Sequence, residues 1–159
     1  MRDTDLQTVS DVAEVVHPSH PEDATVFVER LHLYPEGCHV FERNRILVGY
    51  IISHPWIGEP PALNTMLGEL PAAPTTYYIH DLALLPAARR GGAANAIVTA
   101  LLDHARQENF TTATLVAVNN SGRFWRKHGF QTMHDQDMVA KIESYGADAR
   151  VMRATLSRT

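Results

Sequence analysis

YYIHDLALLPAARRGGAANAIV, residues 77–98, is the stretch of this sequence that decides the fold. Its first part, residues 77–85, is a run of aromatic and aliphatic side chains typical of a buried strand. A small-residue turn follows, and then a helix with Ala93, Ile97 and Leu101 on one face. Such a turn leaves backbone N–H groups free at the start of the helix, where the helix dipole favours negative charge. The stretch therefore predicts a site for phosphate oxygens.

The glycine-rich turn distinguishes among three phosphate-binding motifs. Gly91 and Gly92 allow the backbone to approach a ligand without an intervening Cβ. The dinucleotide fingerprint G-x-G-x-x-G and the nucleotide loop G-x-x-x-x-G-K-[ST] are both absent, which disfavours a nucleotide-binding domain. The remaining pattern is R-x-x-G-x-A over residues 89–94, preceded by L-x-L-x-P over residues 82–86.

This pattern resembles the pyrophosphate loop of the GNAT superfamily of acyl-CoA-dependent N-acetyltransferases, [Q/R]-x-x-G-x-[G/A] after a strand that ends in proline. FWRKHGF, residues 124–130, resembles the F-[Y/W]-x-x-x-G-F signature of the same superfamily. The resemblance implies an α/β GNAT fold over residues 1–159 as a single domain. In that fold a mixed, mostly antiparallel sheet has a central parallel pair splayed around the acyl-CoA, and about four helices flank it.

Periodicity and turn residues predict the other elements of the chain. We expect helices over residues 5–16, from Pro21 to Pro35 and over 121–129, and strands over 38–42, 45–53, 112–118, 130–135 and 148–156, with a tight turn at Arg43 and Asn44. Residues 54–75 contain five prolines and predict a long binding loop with a helical turn at 63–69. We expect this loop, including His54 and Trp56, to line the acceptor pocket.

The resemblance also implies how acetyl-CoA binds as co-substrate. The pantetheine arm fills the gap beside the motif strand and hydrogen-bonds to backbone groups of Leu82, Ala83 and Leu84. The pyrophosphate is held by the turn and the first helical residues, which are Arg90, Gly91, Gly92, Ala93, Ala94 and Asn95. Arg89 is expected to add a charge-assisted contact.

Acyl transfer to an amine requires a base, because an alkylamine with a pKa of about 10.4 is almost fully protonated at pH 7. Alternation along the motif strand places Tyr78, His80, Leu82 and Leu84 on one face, with Asp81 in a structural role on the other. Arylalkylamine N-acetyltransferases of the superfamily carry histidines at the places of His80 and Tyr78. His80 is therefore the candidate base, with a structural histidine as the alternative, and the Leu84 N–H is the candidate oxyanion donor.

The residue at the place of the family's proton donor, which protonates the leaving thiolate, differs from the family pattern. Many members have a tyrosine where this chain has Trp125, which we expect to pack against the pantetheine instead. Tyr145 is a candidate substitute, and a packing role is its alternative. The family's asparagine near the last motif has no match at Val118, although Asn119 or Asn120 could serve.

Composition excludes several other function classes. A net charge of −4 gives no indication of the positive charge that binding to nucleic acid or an anionic membrane requires. No apolar run approaches the length of a membrane span. The single cysteine, Cys38, and a polar N-terminus predict a reducing, cytoplasmic setting. No metal-site fingerprint is present. The acceptor stays open between a small-molecule amine and a protein amine, and a homodimer is compatible with the family. The rival to an enzyme is a catalytically degenerate acyl-CoA-binding module.

Overall fold

The computed structural model describes residues 1–134 and 140–157. Within them lie α1 Leu6–Val16, α2 Ala24–Leu33, β1 Cys38–Arg43, β2 Ile46–Trp56, β3 Thr76–Leu84, α3 Ala93–Gln107, β4 Thr112–Ala117, α4 Gly122–Arg126, β5 Gln131–Thr132 and β6 Arg150–Thr155. A 3-10 helix, Ala140–Tyr145, comes before β6. None of the helices in this part of the chain is long and apolar enough to cross a membrane.

The strands form one sheet in the order β1-β2-β3-β4-β6-β5. The pair β3–β4 is parallel, and the other neighbours are antiparallel. The parallel pairing joins only Tyr77–Ile79 to Ala113–Leu115, although β3 continues to Leu84 and β4 to Ala117. The two strands therefore separate beyond Ile79, which confirms the predicted mixed sheet with a splayed parallel pair.

Apolar side chains pack on both faces of this sheet. Helices α1 and α2 cover one face, where Val9 and Phe27 join Tyr50, Ile52 and Ala83 in one buried cluster. Helix α3 covers the other face with a larger cluster that also includes α4. The sheet is thus the middle layer of three, and both layers of helices reach the gap where β3 and β4 separate.

Strand β2 is longer than predicted, because it continues through Pro55 to Trp56. Strand β1 pairs with β2 only as far as Ile52, so β2 has a partner on one side alone at Pro55. The missing N–H of a proline is tolerated at such an edge. The prediction that His54 and Trp56 belong to the loop is therefore wrong.

Three further predictions of local structure are wrong. Residues 63–69 form no helical turn, since the N–H groups of Leu67 and Gly68 instead donate to the Glu29 carboxylate. The second helix begins at Ala24 rather than at Pro21. The turn after β1 is Asn44 and Arg45, both with positive φ, one residue later than predicted.

Two predicted elements near the C-terminal end are shorter in the structure. The helix expected over 121–129 ends at Arg126, and Gly129 takes the left-handed conformation at φ 86°. The strand expected over 130–135 is limited to Gln131–Thr132, while residue 135 lies outside the described residues.

A β-bulge in β3 overturns the predicted faces of that strand. Ile52 pairs with Asp81 and Ser53 pairs with Ile79, so His80 is an extra residue without a partner in the ladder. An extra residue shifts the alternation of every side chain beyond it. Leu82 and Leu84 consequently lie with Tyr77 and Ile79 in the larger core cluster, while Ala83 joins the cluster on the opposite face.

Candidate active site

The separation of β3 and β4 opens a cavity of about 620 Å³. Its walls come from both strands, the end of α1, the segment before α2, the start of α3, α4 and Tyr145. The residues that line it are Val16, His17, His20, Glu22, Leu63, Ile79, His80, Asp81, Leu82, Leu84, Arg89, Gly92, Ala94, Asn95, Leu115, Val116, Val118, Asn119, Ser121, Phe124, Trp125, Lys127 and Tyr145. Nine of the sequence-predicted site residues are in this set.

The remaining predicted site residues do not line the cavity. Arg90, Gly91 and Ala93 lie in or beside the turn, and Asn120 gives way to Asn119 at the cavity wall. The other two are Tyr78 and Ala83, which are fully buried on the α1–α2 side of the sheet.

The backbone of β3 offers an unpaired edge to this cavity. The Leu85 N–H donates to the Val48 carbonyl, at 2.9 Å, on the β2 side. Because antiparallel ladders alternate, the backbone groups of Leu84 and Leu82 then point away from β2, toward the gap. The Leu84 carbonyl already accepts a bond from Arg89 Nε at 3.0 Å, whereas Ala83 is directed toward Tyr50 of β2.

The turn before α3 is held open by two left-handed glycines. Gly91 has φ 97° and Gly92, the N-cap residue of α3, has φ 78°. Nothing lies within 4 Å of a Cβ built on either residue, so conformation is the requirement for glycine in this structure. No side chain caps α3, and its first N–H groups therefore lack side-chain partners at the cavity.

An imidazole–carboxylate pair lies at the bulge. His80 Nε2 and Glu22 Oε1 are 2.9 Å apart, and their side chains are only 2% and 6% exposed. His80 Nδ1 is buried without a hydrogen-bond partner. Glu22 was not predicted as a site residue, because its position within the helix expected from Pro21 suggests only a favourable contact with the helix dipole. Its other oxygen accepts from the Asn64 N–H at 3.1 Å, which ties the 57–75 loop to the same carboxylate.

A second imidazole–carboxylate pair lies beside the first. His17 Nε2 is 2.9 Å from Asp81 Oδ1, and the Tyr50 hydroxyl donates to the other Asp81 oxygen. Burial lowers the pKa of His17, but attraction and hydrogen bonding to Asp81 outweigh it, so the net pKa is raised. Burial raises the pKa of Asp81, yet the same pairing with His17 holds it below its ordinary value. Asp81 was expected on the face opposite His80, and the bulge brings both into one cavity.

His54 lies behind the His80 pair without reaching the cavity. Its ring packs against Trp56, Tyr78 and His80, with ring centroids 5.5 to 6.4 Å apart. Nδ1 donates to the Pro55 carbonyl at 2.9 Å, and Nε2 is buried without a partner. Burial lowers the pKa of His54 to about 3, so the ring stays neutral.

Trp125, in the family's proton-donor place, and Tyr145, the candidate substitute donor, both have packed positions. Trp125 is buried against Phe124 and Phe130. The Tyr145 hydroxyl donates to the Pro61 carbonyl at 2.9 Å, and burial raises the pKa of this phenol to about 12. Its proton is therefore already held by a backbone acceptor.

Among the described residues, no group of three or more His, Cys, Asp or Glu side chains is arranged to hold a metal ion. The site is thus a backbone-lined cleft with an anion-binding turn at one end and two imidazole–carboxylate pairs at the other. Its polar chemistry suits proton transfer beside a bound, phosphate-bearing ligand.

Comparison with known proteins assigns the class that this fold and cleft define. The model of the acetyltransferase (GNAT) family matches residues 6–130. The chain therefore belongs to the GNAT acetyltransferase family. No curated protein sequence matches it.

Solved structures share the fold at low sequence identity. Ard1 from Thermoplasma volcanium is 18% identical with a TM-score of 0.74, over 99% of this chain and 95% of that one. The GNAT-like decarboxylase GphF in complex with isobutyryl-CoA is 15% identical with a TM-score of 0.78, over 99% and 97%. Naa50 of Arabidopsis thaliana, bound to the bisubstrate analogue CoA-Ac-MVNAL, is 21% identical with a TM-score of 0.70, over 98% and 95%.

Proposed function

We propose that this protein transfers an acetyl group from acetyl-CoA to a primary amine, by direct attack in a ternary complex. The observation that carries the proposal is the His80–Glu22 pair at the point where β3 and β4 separate. Family membership supports acyl transfer, and structural neighbours that hold coenzyme A derivatives support the cofactor. The single cysteine fits a reducing, cytoplasmic setting.

In this proposal the cofactor uses the two backbone features of the cleft. The pantetheine arm pairs with the gap-facing groups of Leu82, as an added strand would, while the Leu84 carbonyl is held by Arg89 and the Leu84 N–H is left for the thioester oxygen. The pyrophosphate binds the free N–H groups at the start of α3. Arg89 and Arg90, in the turn just before this helix, supply positive charge to the phosphates. Small residues at this turn, including Ala94, leave the backbone accessible.

His80 then acts as the general base. Its Nε2–H donates to Glu22, which fixes the tautomer and leaves the Nδ1 lone pair to accept a proton from the amine. The amine nitrogen forms a bond to the thioester carbon, and the Leu84 N–H donates to the oxygen that becomes negative. Collapse of this intermediate breaks the carbon–sulfur bond, whose electron pair leaves with the sulfur as a thiolate, and the nitrogen gives its remaining extra proton to water as the amide is released. Glu22 gives this end of the cavity negative charge, which favours an ammonium-bearing acceptor, either a small molecule or a protein amine.

Two measurements test the proposal. Acetyl-CoA at 100 times its Kd should raise the free energy of unfolding by about 2.7 kcal/mol, which a thermal-shift assay detects easily. Release of thiol should then be followed with a panel of amines, using Glu22→Gln beside the wild-type protein. Removal of the carboxylate charge should lower kcat/KM, because Glu22 orients His80.

The outcomes separate this enzyme from the rival module. A thermal shift without turnover for any amine would favour a degenerate acyl-CoA-binding domain, for which Trp125 in the usual tyrosine place is the supporting observation. Absence of any shift at millimolar acetyl-CoA would contradict both readings.

A further inference from the structure

His17 joins the two strands across the open end of the gap. Its Nε2 contacts Asp81 of β3 at 2.9 Å, and its Nδ1 lies 3.1 Å from Nδ2 of Asn119, which follows β4. His17, Asp81 and Asn119 all line the cavity. The imidazole therefore lies at the gap that the pantetheine arm fills in the proposed function.

The surroundings of His17 favour its protonated form. Asp81 faces it from β3, and Glu22 adds negative charge from the segment before α2. Tyr50 of β2 donates to the far oxygen of Asp81, and His80 is the other titratable group beside that carboxylate. The net result is a raised pKa for His17, in contrast to the neutral, deeply buried His54.

The reaction also needs a proton for the leaving sulfur, and neither Trp125, in the family's proton-donor place, nor the candidate donor Tyr145 supplies it well. Trp125 has no acidic proton, and the Tyr145 proton is donated to the Pro61 carbonyl. An active site with two imidazoles in different environments can divide the acid and base roles between them. His80 is placed for the amine, which leaves His17 for the sulfur.

We propose that His17, as an imidazolium ion, protonates the sulfur of coenzyme A as it leaves. This proposal rests on the proposed acetyltransferase function. As the carbon–sulfur bond breaks, its electron pair goes to sulfur, and the Nδ1 proton of His17 is transferred to it. The Asp81 carboxylate stays 2.9 Å from Nε2 and balances the imidazolium charge. In this structure Nδ2 of the exposed Asn119 side chain donates to Nδ1, so Nδ1 takes up its proton only when this amide turns away and the sulfur takes its place. His17 then regains a proton from water, and His80 releases the one that it took from the amine.

The first test needs only the wild-type protein and coenzyme A. A neighbouring imidazolium stabilises a thiolate. The thiol of bound coenzyme A should therefore ionise at lower pH than that of free coenzyme A, as followed by the ultraviolet absorbance of the thiolate. Desulfo-coenzyme A supplies the blank. An unchanged or higher ionisation pH for the bound thiol would overturn the proposal, whether or not any amine is acetylated.

The second test uses His17→Gln, with His32→Gln as its matched control. His32 also pairs with a carboxylate, Asp3, at 2.7 Å, but both side chains are more than half exposed and lie outside the cavity. His17→Gln should abolish the shift in thiol ionisation. It should also lower kcat by about 10², the low end of general acid catalysis, since thiolate is a good leaving group.

The pH profile adds a readout that a merely structural role of His17 would not move. In the wild-type protein kcat should fall on the alkaline side as His17 loses its proton, and His17→Gln should lose that limb while coenzyme A affinity stays within a few-fold. His32→Gln should behave as the wild type in every assay. A wild-type kcat and alkaline limb in His17→Gln would refute the assignment. If no amine is turned over, the proposed function fails, and the thiol titration still decides the role of His17.

Discussion

Protonation of His54 should destabilise the fold in mild acid. The unfolded chain takes up a proton at this residue below its ordinary pKa of 6.5, whereas the folded protein resists protonation down to about pH 3. A histidine with a depressed folded pKa therefore lowers the free energy of unfolding as the pH falls between these two values. At about 1.36 kcal/mol per pH unit, the loss at pH 5 is roughly 2 kcal/mol.

The variant His54→Gln isolates this effect, because glutamine does not titrate. At pH 8 the variant should be less stable than the wild type by about 1 kcal/mol, since the bond to the Pro55 carbonyl and the packing against Trp56 are disturbed. The wild type should lose roughly 2 kcal/mol more than the variant on going from pH 8 to pH 5. Urea unfolding of both proteins at each pH measures the two differences.

An exposed histidine supplies the control for this comparison. His32 is 61% exposed, so His32→Gln should follow the wild-type pH dependence closely. A constant difference in unfolding free energy between His54→Gln and the wild type from pH 8 to pH 5 would refute the reasoning. It would mean that the buried ring accepts a proton without penalty.

The other predictions concern the cofactor turn and the reacting groups. Gly92→Glu should abolish the stabilisation by coenzyme A in a thermal-shift assay, because it sets a negative charge against the pyrophosphate. Gly58→Glu, at another left-handed glycine in open space, should preserve that stabilisation. His80→Gln should lower kcat/KM by roughly 10²–10⁴ and remove an ionisation from the acidic limb of its pH profile. A wild-type pH profile in this variant would mean that His80 has only a structural role. Tyr145→Phe should keep most of kcat and lose about 1 kcal/mol of stability, because the hydrogen bond to the Pro61 carbonyl is removed. A collapse of kcat would instead identify the Tyr145 phenol as the proton donor. Trp125→Phe should cost only several-fold in kcat, and a larger loss would contradict a packing role.

Much of the fold was predictable because its signals are local. The alternation and apolar content of residues 77–85 and 112–118 identify β3 and β4, and the helix between them requires a parallel pair. The turn over residues 89–94 could be recognised because left-handed glycines and small side chains leave a direct mark on the sequence. Element ends were less predictable, as Pro55 shows, since its tolerance depends on where β1 stops pairing.

The chemistry of the site was harder to predict, because it depends on contacts between distant parts of the chain. Glu22 meets His80 across 58 positions of sequence, and no local pattern marks that meeting. His17 looked like the end of a helix before a proline, although it reaches Asp81. The bulge at His80 has no sequence signature in this strand, so strict alternation assigned Leu82 to the wrong face.

Because of the bulge in β3, the arrangement of the cavity depends on one residue in the length of that strand. In a regular strand the consecutive residues His80 and Asp81 would point to opposite faces, and the two imidazole–carboxylate pairs would not share one cavity. A substitution scan removes one side chain at a time and leaves this backbone feature in place. Deletion of His80 or of Asp81 would instead restore a regular strand, leave Leu82 and Leu84 on their present face, and remove one of the two pairs. Among homologues, the length of this strand is therefore as informative about activity as the identity of any residue within it.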